Sequence, residues 1–187
     1  AIQPAGNLTV GITGTQLSNA GKIIAAGVLG IQATGSNVAV INKINAYLQA
    51  GGTLSLSKAN LASLDNQAGA SVLSNAFNMD VTTLANAGVL QGGAGASSLS
   101  VAGTLNNTGT LTLATSGVGS GTVTADTLDN AGLLQSQGAA NLNIATQFAN
   151  SGTTLSAGNL TVSGKDASYN INNTGRLESL AVLTLQG

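Results

Sequence analysis

The sequence predicts an all-β fold in which short parallel strands coil into a β-helix, or β-solenoid, of about eight coils. An Asn–x–Gly motif returns about every 21 residues, and short segments of alternating apolar and polar residues lie between its copies. The chain is also built from small, uncharged residues: of its 187 residues, 26 are glycine and only 6% are charged. Stacked coils favour this composition, because a charge repeated at one position would lie directly above a like charge.

Each copy of the motif reads apolar–x–Asn–x–Gly, and one copy has an extra residue before its glycine. The motif residues are Asn19 and Gly21, Asn66 and Gly69, Asn86 and Gly88, Asn107 and Gly109, Asn130 and Gly132, Asn150 and Gly152, and Asn173 and Gly175. Because Asn and Gly accept positive φ, each copy is predicted to form a corner between two strands. The first two asparagines are about two periods apart, so we expect a degenerate copy between them, around Ile44 and Asn45 and around residues 54–56.

The predicted strands are short runs with apolar residues at alternate positions, as in Leu111-Thr-Leu113 and Leu160-Thr-Val162. This period of two indicates strands with one buried face. Strands of neighbouring coils lie about 4.8 Å apart, so the stack would form a rod about 40 Å long. Asparagines at equivalent corners are expected to form a ladder of amide hydrogen bonds. The period is too short for paired-helix repeats, and the Leu frame of leucine-rich repeats is absent.

Two places depart from the repeat within an otherwise single β-helix segment over residues 1–187. In residues 35–51 the apolar residues are spaced three and four apart, which indicates either a short helix over 36–50 or one more coil of poor consensus. Ser36 and Gly51 would cap such a helix. Residues 71–81 are predicted to carry an irregular insertion, in which Phe77, Met79 and Val81 alternate.

The composition excludes several kinds of site. The chain has no Cys and no His, which removes disulfides, thiol nucleophiles, the usual zinc ligands and histidine general bases. Its net charge of -1 is too small to neutralise a run of phosphates. We therefore expect no enzymatic activity, no cofactor, no metal, no nucleic-acid partner and no membrane-spanning helix. The chain begins without Met or a signal peptide, so we interpret it as an interior piece or a mature fragment.

A few residues are candidates for something more than structure. Tyr47 and Lys43 are candidate partner contacts within the irregular segment. Asp126 and Asp129 suggest either a calcium or glycan-cleaving carboxylate pair or a solvated corner, and the scattered charges favour the corner. The Thr–x–Thr pairs at 13 and 15, 110 and 112, and 122 and 124 do not share one repeat position, which indicates ordinary outward-facing strand residues.

The repeats resemble those of filamentous haemagglutinin and its relatives, above all in Leu128-Asp-Asn-Ala-Gly-Leu-Leu134 and Gly158-Asn-Leu-Thr-Val162. That family includes contact-dependent growth-inhibition exoproteins and biofilm adhesins that Gram-negative bacteria secrete by the two-partner route. The resemblance implies a right-handed parallel β-helix, an outer-membrane transporter as secretion partner, and a location outside the cell or on its surface. The chain lacks the family's Asn-Pro-Asn secretion motif and a toxin-like region, which indicates the repeat-bearing shaft.

Several functions remain open at this point. The first hypothesis is a structural shaft that supports adhesion or virulence by holding a distal module away from the cell. The second is a segment that itself binds a cell-surface receptor or a glycan through residues 35–51 and 71–81. A polysaccharide-cleaving β-helix would have to rely on Asp, Glu, Lys, Arg or Tyr, and an amyloid-forming matrix subunit would stack through its open ends.

Overall fold

The computed structural model describes all residues except Lys58, Asn60, Asp166 and Ala167, and the described chain contains twenty strands and no helix. Consequently, it contains no helix long and apolar enough to cross a membrane. The strands are β1 (Leu8–Ile12), β2 (Gln16–Asn19), β3 (Lys22–Ala25), β4 (Leu29–Ala33), β5 (Val38–Asn42), β6 (Tyr47–Leu56), β7 (Leu61–Asn66), β8 (Ser71–Val81), β9 (Thr83–Asn86), β10 (Val89–Gly92), β11 (Ala96–Asn107), β12 (Thr110–Thr112), β13 (Ser120–Asn130), β14 (Leu133–Ser136), β15 (Ala139–Asn150), β16 (Thr153–Ser156), β17 (Leu160–Gly164), β18 (Asn170–Asn173), β19 (Arg176–Ser179) and β20 (Leu183–Gln186).

These strands form a right-handed parallel β-helix of about eight coils, as predicted. Each coil visits three faces in turn. The first face holds β1, β4, β17, β20 and residues 53–56, 76–81, 96–101, 120–125 and 139–144 of the longer strands. The second face holds β2, β5, β7, β9, β18 and residues 104–107, 127–130 and 147–150. The third face holds β3, β10, β12, β14, β16, β19 and residues 47–50 and 71–74.

The core consists of apolar columns that run along the rod axis. Because strand residues alternate between the two sides of the sheet, every second residue points inward and lies over its register partner in the next coil. One such column on the second face is Leu17, Val40, Leu64, Leu84, Leu105, Leu128, Phe148 and Ile171. Each fully buried aliphatic side chain contributes about 1.5–3 kcal/mol, so stacking between neighbouring coils stabilises the fold.

The alternative of a short helix over residues 36–50 is wrong, because this segment is one more coil. Val38 and Val40 are fully buried on β5, which pairs with β2 on one side and β7 on the other. The three-and-four spacing included Ile44, which is 63% exposed at a corner and belongs to no apolar stripe. An isolated short helix would have to form without these backbone pairings, which the neighbouring coils supply at every residue of the strand.

The expected insertion over residues 71–81 is also absent, because these residues form the continuous strand β8. Residues 71–74 lie on the third face and residues 76–81 on the first, so Asn75 marks the corner between them. Phe77, Met79 and Val81 alternate as predicted, and all three are buried. The coil looked irregular in sequence because its corner is shorter than those of its neighbours, not because it carries extra residues.

Candidate functional site

A ladder of asparagine side chains runs through the interior along the corner between the second and third faces. Each Nδ2 donates to the Oδ1 of the asparagine in the next coil, at 2.7–2.9 Å. The eight members are Asn19, Asn42, Asn66, Asn86, Asn107, Asn130, Asn150 and Asn173. The Nδ2 of every donor also reaches a backbone carbonyl at the start of the next third-face strand, for example Leu133 O at 3.1 Å from Asn107.

The ladder is buried and carries no charge. All its members except Asn173 in the last coil are buried, from 0% exposed for Asn107 to 6% for Asn19. A buried amide without partners costs about 1–3 kcal/mol, so a chain of satisfied amides is stable where a single one would not be. Because the acceptor and donor of each bond lie in adjacent coils, the ladder fixes the register of every coil on the next.

Asn42 is the ladder member that sequence reasoning placed incorrectly, at Asn45. Asn45 instead adopts positive φ (61°) in the corner that follows, as Gly69 does (76°) one coil later. These two corners contain two more residues than the Asn–x–Gly corners, four between the strands instead of two. The signal that identifies Asn42 is therefore an Asn followed three residues later by Asn or Gly, which Asn66 and Gly69 share.

The corner glycines have a different cause from the one predicted. Among the described glycines, positive φ is found at Gly69, not at the Asn–x–Gly corners. A Cβ on Gly132 would lie less than 3.0 Å from the carbonyl oxygen of Gly109, and one on Gly109 equally close to that of Gly88. The glycine N–H and the N–H before it both donate to the asparagine carbonyl one coil back, as Ala131 and Gly132 do to Asn107. At Gly88, Gly109, Gly132, Gly152 and Gly175, glycine is required because two backbones approach closely.

The predicted partner contacts lie near one end of the rod. Tyr47 is 37% exposed and lies on the third face, and Lys43 is exposed in the preceding corner. The structure adds Lys22, whose Nζ lies 5.2 Å from the Tyr47 ring centroid, within the range of a cation–π interaction. Sequence reasoning missed Lys22 because it lies a full coil earlier in the chain.

The two predicted carboxylates do not form one site. Asp126 is exposed at the corner between the first and second faces, whereas Asp129 lies on the outer side of the second face. Within the described residues no group of three or more Asp, Glu, His or Cys residues is placed to hold a metal ion. Among the described residues one ion pair is found, between Arg176 and Glu178 in the last coil.

Asp126 instead borders a groove of about 550 Å³ along the corner between the first and second faces. One side of the groove is a column of outward polar residues from four successive coils: Ser100, Thr124, Asn143 and Ser163. The other side comes from the corner and includes Ala102, Ala145 and Lys165. Sequence reasoning missed the groove, because it compared threonines alone. Its signal is the small polar residue, whether Ser, Thr or Asn, that directly follows a buried apolar residue of the first face: Leu99, Val123, Leu142 or Val162.

Tyr169 is a half-buried side chain beside Gly164, which lies at one end of this groove. Its ring contacts Gly164, and its hydroxyl oxygen is buried without a hydrogen-bond partner among the described residues. Burial raises the pKa of Tyr169 to about 12, from an ordinary value of 10.0.

The raised pKa of Tyr169 predicts a loss of stability in alkali. Above pH 10 the unfolded chain releases this proton while the folded chain retains it, so the stability contributed by the group is present below pH 10 and is lost as the pH rises toward 12. Urea unfolding between about pH 9 and about pH 12 should show a steeper decline for the wild type than for Tyr169→Phe. Equal declines would show that Tyr169 titrates normally.

Comparison of the chain with protein-family models, with curated proteins and with solved structures finds no match.

Proposed function

We propose that this chain is a shaft segment of a large exoprotein of Gram-negative bacteria, secreted or held on the cell surface, where it keeps a functional module at a distance from the cell. The resemblance of its repeats to two-partner secreted exoproteins supports this proposal, with an outer-membrane transporter as secretion partner. The shaft would thereby serve adhesion or contact-dependent growth inhibition without acting on a substrate itself.

The observation that carries the proposal is the unbroken asparagine ladder. Seven hydrogen bonds between side chains link eight coils, and the apolar columns accompany them over the same length. A rod in which each coil is fixed on the next resists bending and sliding, which a spacer requires. Corners differ in length from coil to coil, yet they interrupt neither the asparagine ladder nor the apolar columns. The interior of the rod is therefore uniform while its outer surface varies.

The surface location is testable at the corner loop that contains Val118. Val118 is 92% exposed between β12 and β13, so an epitope inserted beside it should leave the core intact. In cells that produce the whole protein, we expect an antibody to label this epitope on intact cells or in the medium. A cytoplasmic protein with the same epitope is the control. Labelling only after lysis would contradict the proposal.

Removal of one coil tests whether the coils are interchangeable units, as a spacer built from repeats requires. Deletion of residues 108–130 joins Asn107 to Ala131 and Gly132 and restores an Asn–x–Gly corner. Each coil folds on its neighbours, so the shortened rod should still fold and reach the cell surface, with its two ends closer by one strand spacing, about 4.8 Å. An unfolded or retained product would show that the coils are not interchangeable units.

A further inference from the structure

We propose that the groove along the corner between the first and second faces binds a linear, uncharged polysaccharide whose chain runs parallel to the rod axis. This binding function goes beyond the shaft role and does not depend on it. It also places the contact surface away from residues 35–51 and 71–81, where the sequence suggested it.

The polar side of the groove suits sugar hydroxyl groups. Ser100, Thr124 and Ser163 each offer a hydroxyl that both donates and accepts, and Asn143 offers an amide with both functions. Thr124 and Asn143 are exposed, and Asn143 Oδ1 accepts from Ser163 Oγ at 3.0 Å, so Nδ2 is the group of Asn143 that can donate to a sugar oxygen. Hydroxyl groups of a glycan need such mixed donors and acceptors.

The spacing of these groups suits a polymer. The four residues are register partners in consecutive coils, so equivalent polar groups repeat about every 4.8 Å along the groove. This repeat is comparable to the length of one pyranose ring in an extended chain, so successive sugars would meet successive coils. A compact ligand would use only one or two of these positions.

The opposite side of the groove suits the apolar faces of sugar rings. Ala102 and Ala145 contribute methyl groups there, and both are at least partly exposed. A pyranose ring has polar edges and an apolar C–H face, so it fits between a polar column and a row of methyl groups. The volume of about 550 Å³ lies within the range of ligand-binding clefts.

The charges at the groove favour an uncharged chain. Asp126 and Lys165 both line it, one of each sign. A polyanion would be repelled by Asp126 at mid-groove, and a polycation by Lys165 at its end. An uncharged glycan avoids both penalties and can accept from Lys165 and donate to Asp126.

Calorimetric titration with defined oligosaccharides tests the proposal on the full chain. The probes are cellohexaose, xylohexaose and N-acetylchitohexaose, with the corresponding disaccharides and a heparin hexasaccharide for comparison. We expect at least one uncharged hexasaccharide to bind, and to bind more tightly than its disaccharide. The variant Thr124→Val with Asn143→Leu keeps the side-chain shapes but removes the polar groups, and should weaken binding about tenfold or more.

The matched control is Thr104→Val with Asn106→Leu, which makes the same two changes at exposed positions of the second face. It should bind within about twofold of the wild type. Thermal unfolding of both variants checks that they fold alike. The proposal is overturned if none of the three uncharged hexasaccharides binds, if only the heparin probe binds, or if the two variants lose affinity equally. None of these results would bear on the shaft role.

Discussion

Asn107→Asp should lower the free energy of unfolding by about 4 kcal/mol at neutral pH, although it replaces a single NH₂ group by oxygen. A carboxylate cannot donate to Asn130 Oδ1 and Leu133 O, which Asn107 now reaches at 2.7 and 3.1 Å. Both acceptors would lose a partner in a site where residue 107 is 0% exposed. A buried charge facing two acceptors is the most costly change that the ladder can undergo without a change of shape.

The penalty should depend on pH. Burial and the facing oxygens raise the pKa of the introduced carboxyl above its unfolded value of about 3.9. Below about pH 4 the group is protonated in both states and can donate one hydrogen bond, so the loss of stability is small there. As the pH rises the unfolded state ionises first, and stability falls until the folded pKa is reached.

The control for this substitution is Asn141→Asp, which makes the same change on the outer side of β15. Asn141 is exposed and lies between Thr122 and Thr161 in the neighbouring coils. Its substitution should change stability by less than about 0.5 kcal/mol. Urea unfolding of both variants between about pH 3 and about pH 8 gives the comparison. If the two variants behave alike, the ladder does not stabilise the rod.

Gly132→Ala should destabilise the rod by about 3 kcal/mol. The added Cβ would lie less than 3.0 Å from the Gly109 carbonyl oxygen and from both carbonyl atoms of Thr108. All of these atoms are backbone, so the clash is relieved only if two coils separate. Separation would lengthen the hydrogen bonds of Ala131 and Gly132 to Asn107 O, now 2.9 Å each.

Gly21→Ala is the matched control, since Gly21 occupies the same position of the motif in the first coil. Nothing lies within 4 Å of a Cβ built there. Gly21 does not have positive φ, so alanine should be neutral or should stabilise the chain by up to about 1 kcal/mol through the unfolded state. Thermal unfolding distinguishes the two glycines. A similar loss of stability in both variants would mean that backbone flexibility, and not close approach of two backbones, explains the repeated corner glycines of this chain.

The repeat period was sufficient to predict the coils. Asparagine recurs at a nearly constant spacing from Asn66 to Asn173, which indicates that each copy occupies the same structural position in its coil. The cause of the corner glycines could not be predicted in the same way. Asn–x–Gly is compatible both with positive φ and with close backbone approach, and only the position of the preceding coil distinguishes them. Ile44 was misread for a related reason, since an exposed corner residue and a helical core residue look the same in one sequence.

The groove was harder to predict than the ladder. Its polar column mixes Ser100, Thr124 and Asn143, so no single residue type repeats, and the chemistry they share appears only when the coils are in register. The lengths of the intervening corners vary, which shifts these residues relative to a fixed period. Lys22 and Tyr47 illustrate the same limit, because their contact joins residues one coil apart.

The central claim is that the coils form one rigid stack in fixed register, and a pair of spin labels tests it most directly. Ser18 and Asn172 lie in one outward column of the second face, seven strand spacings apart, and the chain has no native cysteine. With both changed to cysteine and labelled, electron–electron distance measurements should give a single narrow peak at about 34 Å. The pair Ser18→Cys and Asn106→Cys should give about 19 Å, in proportion to its four spacings. A broad distribution, or two distances that do not scale with the number of coils, would contradict the account.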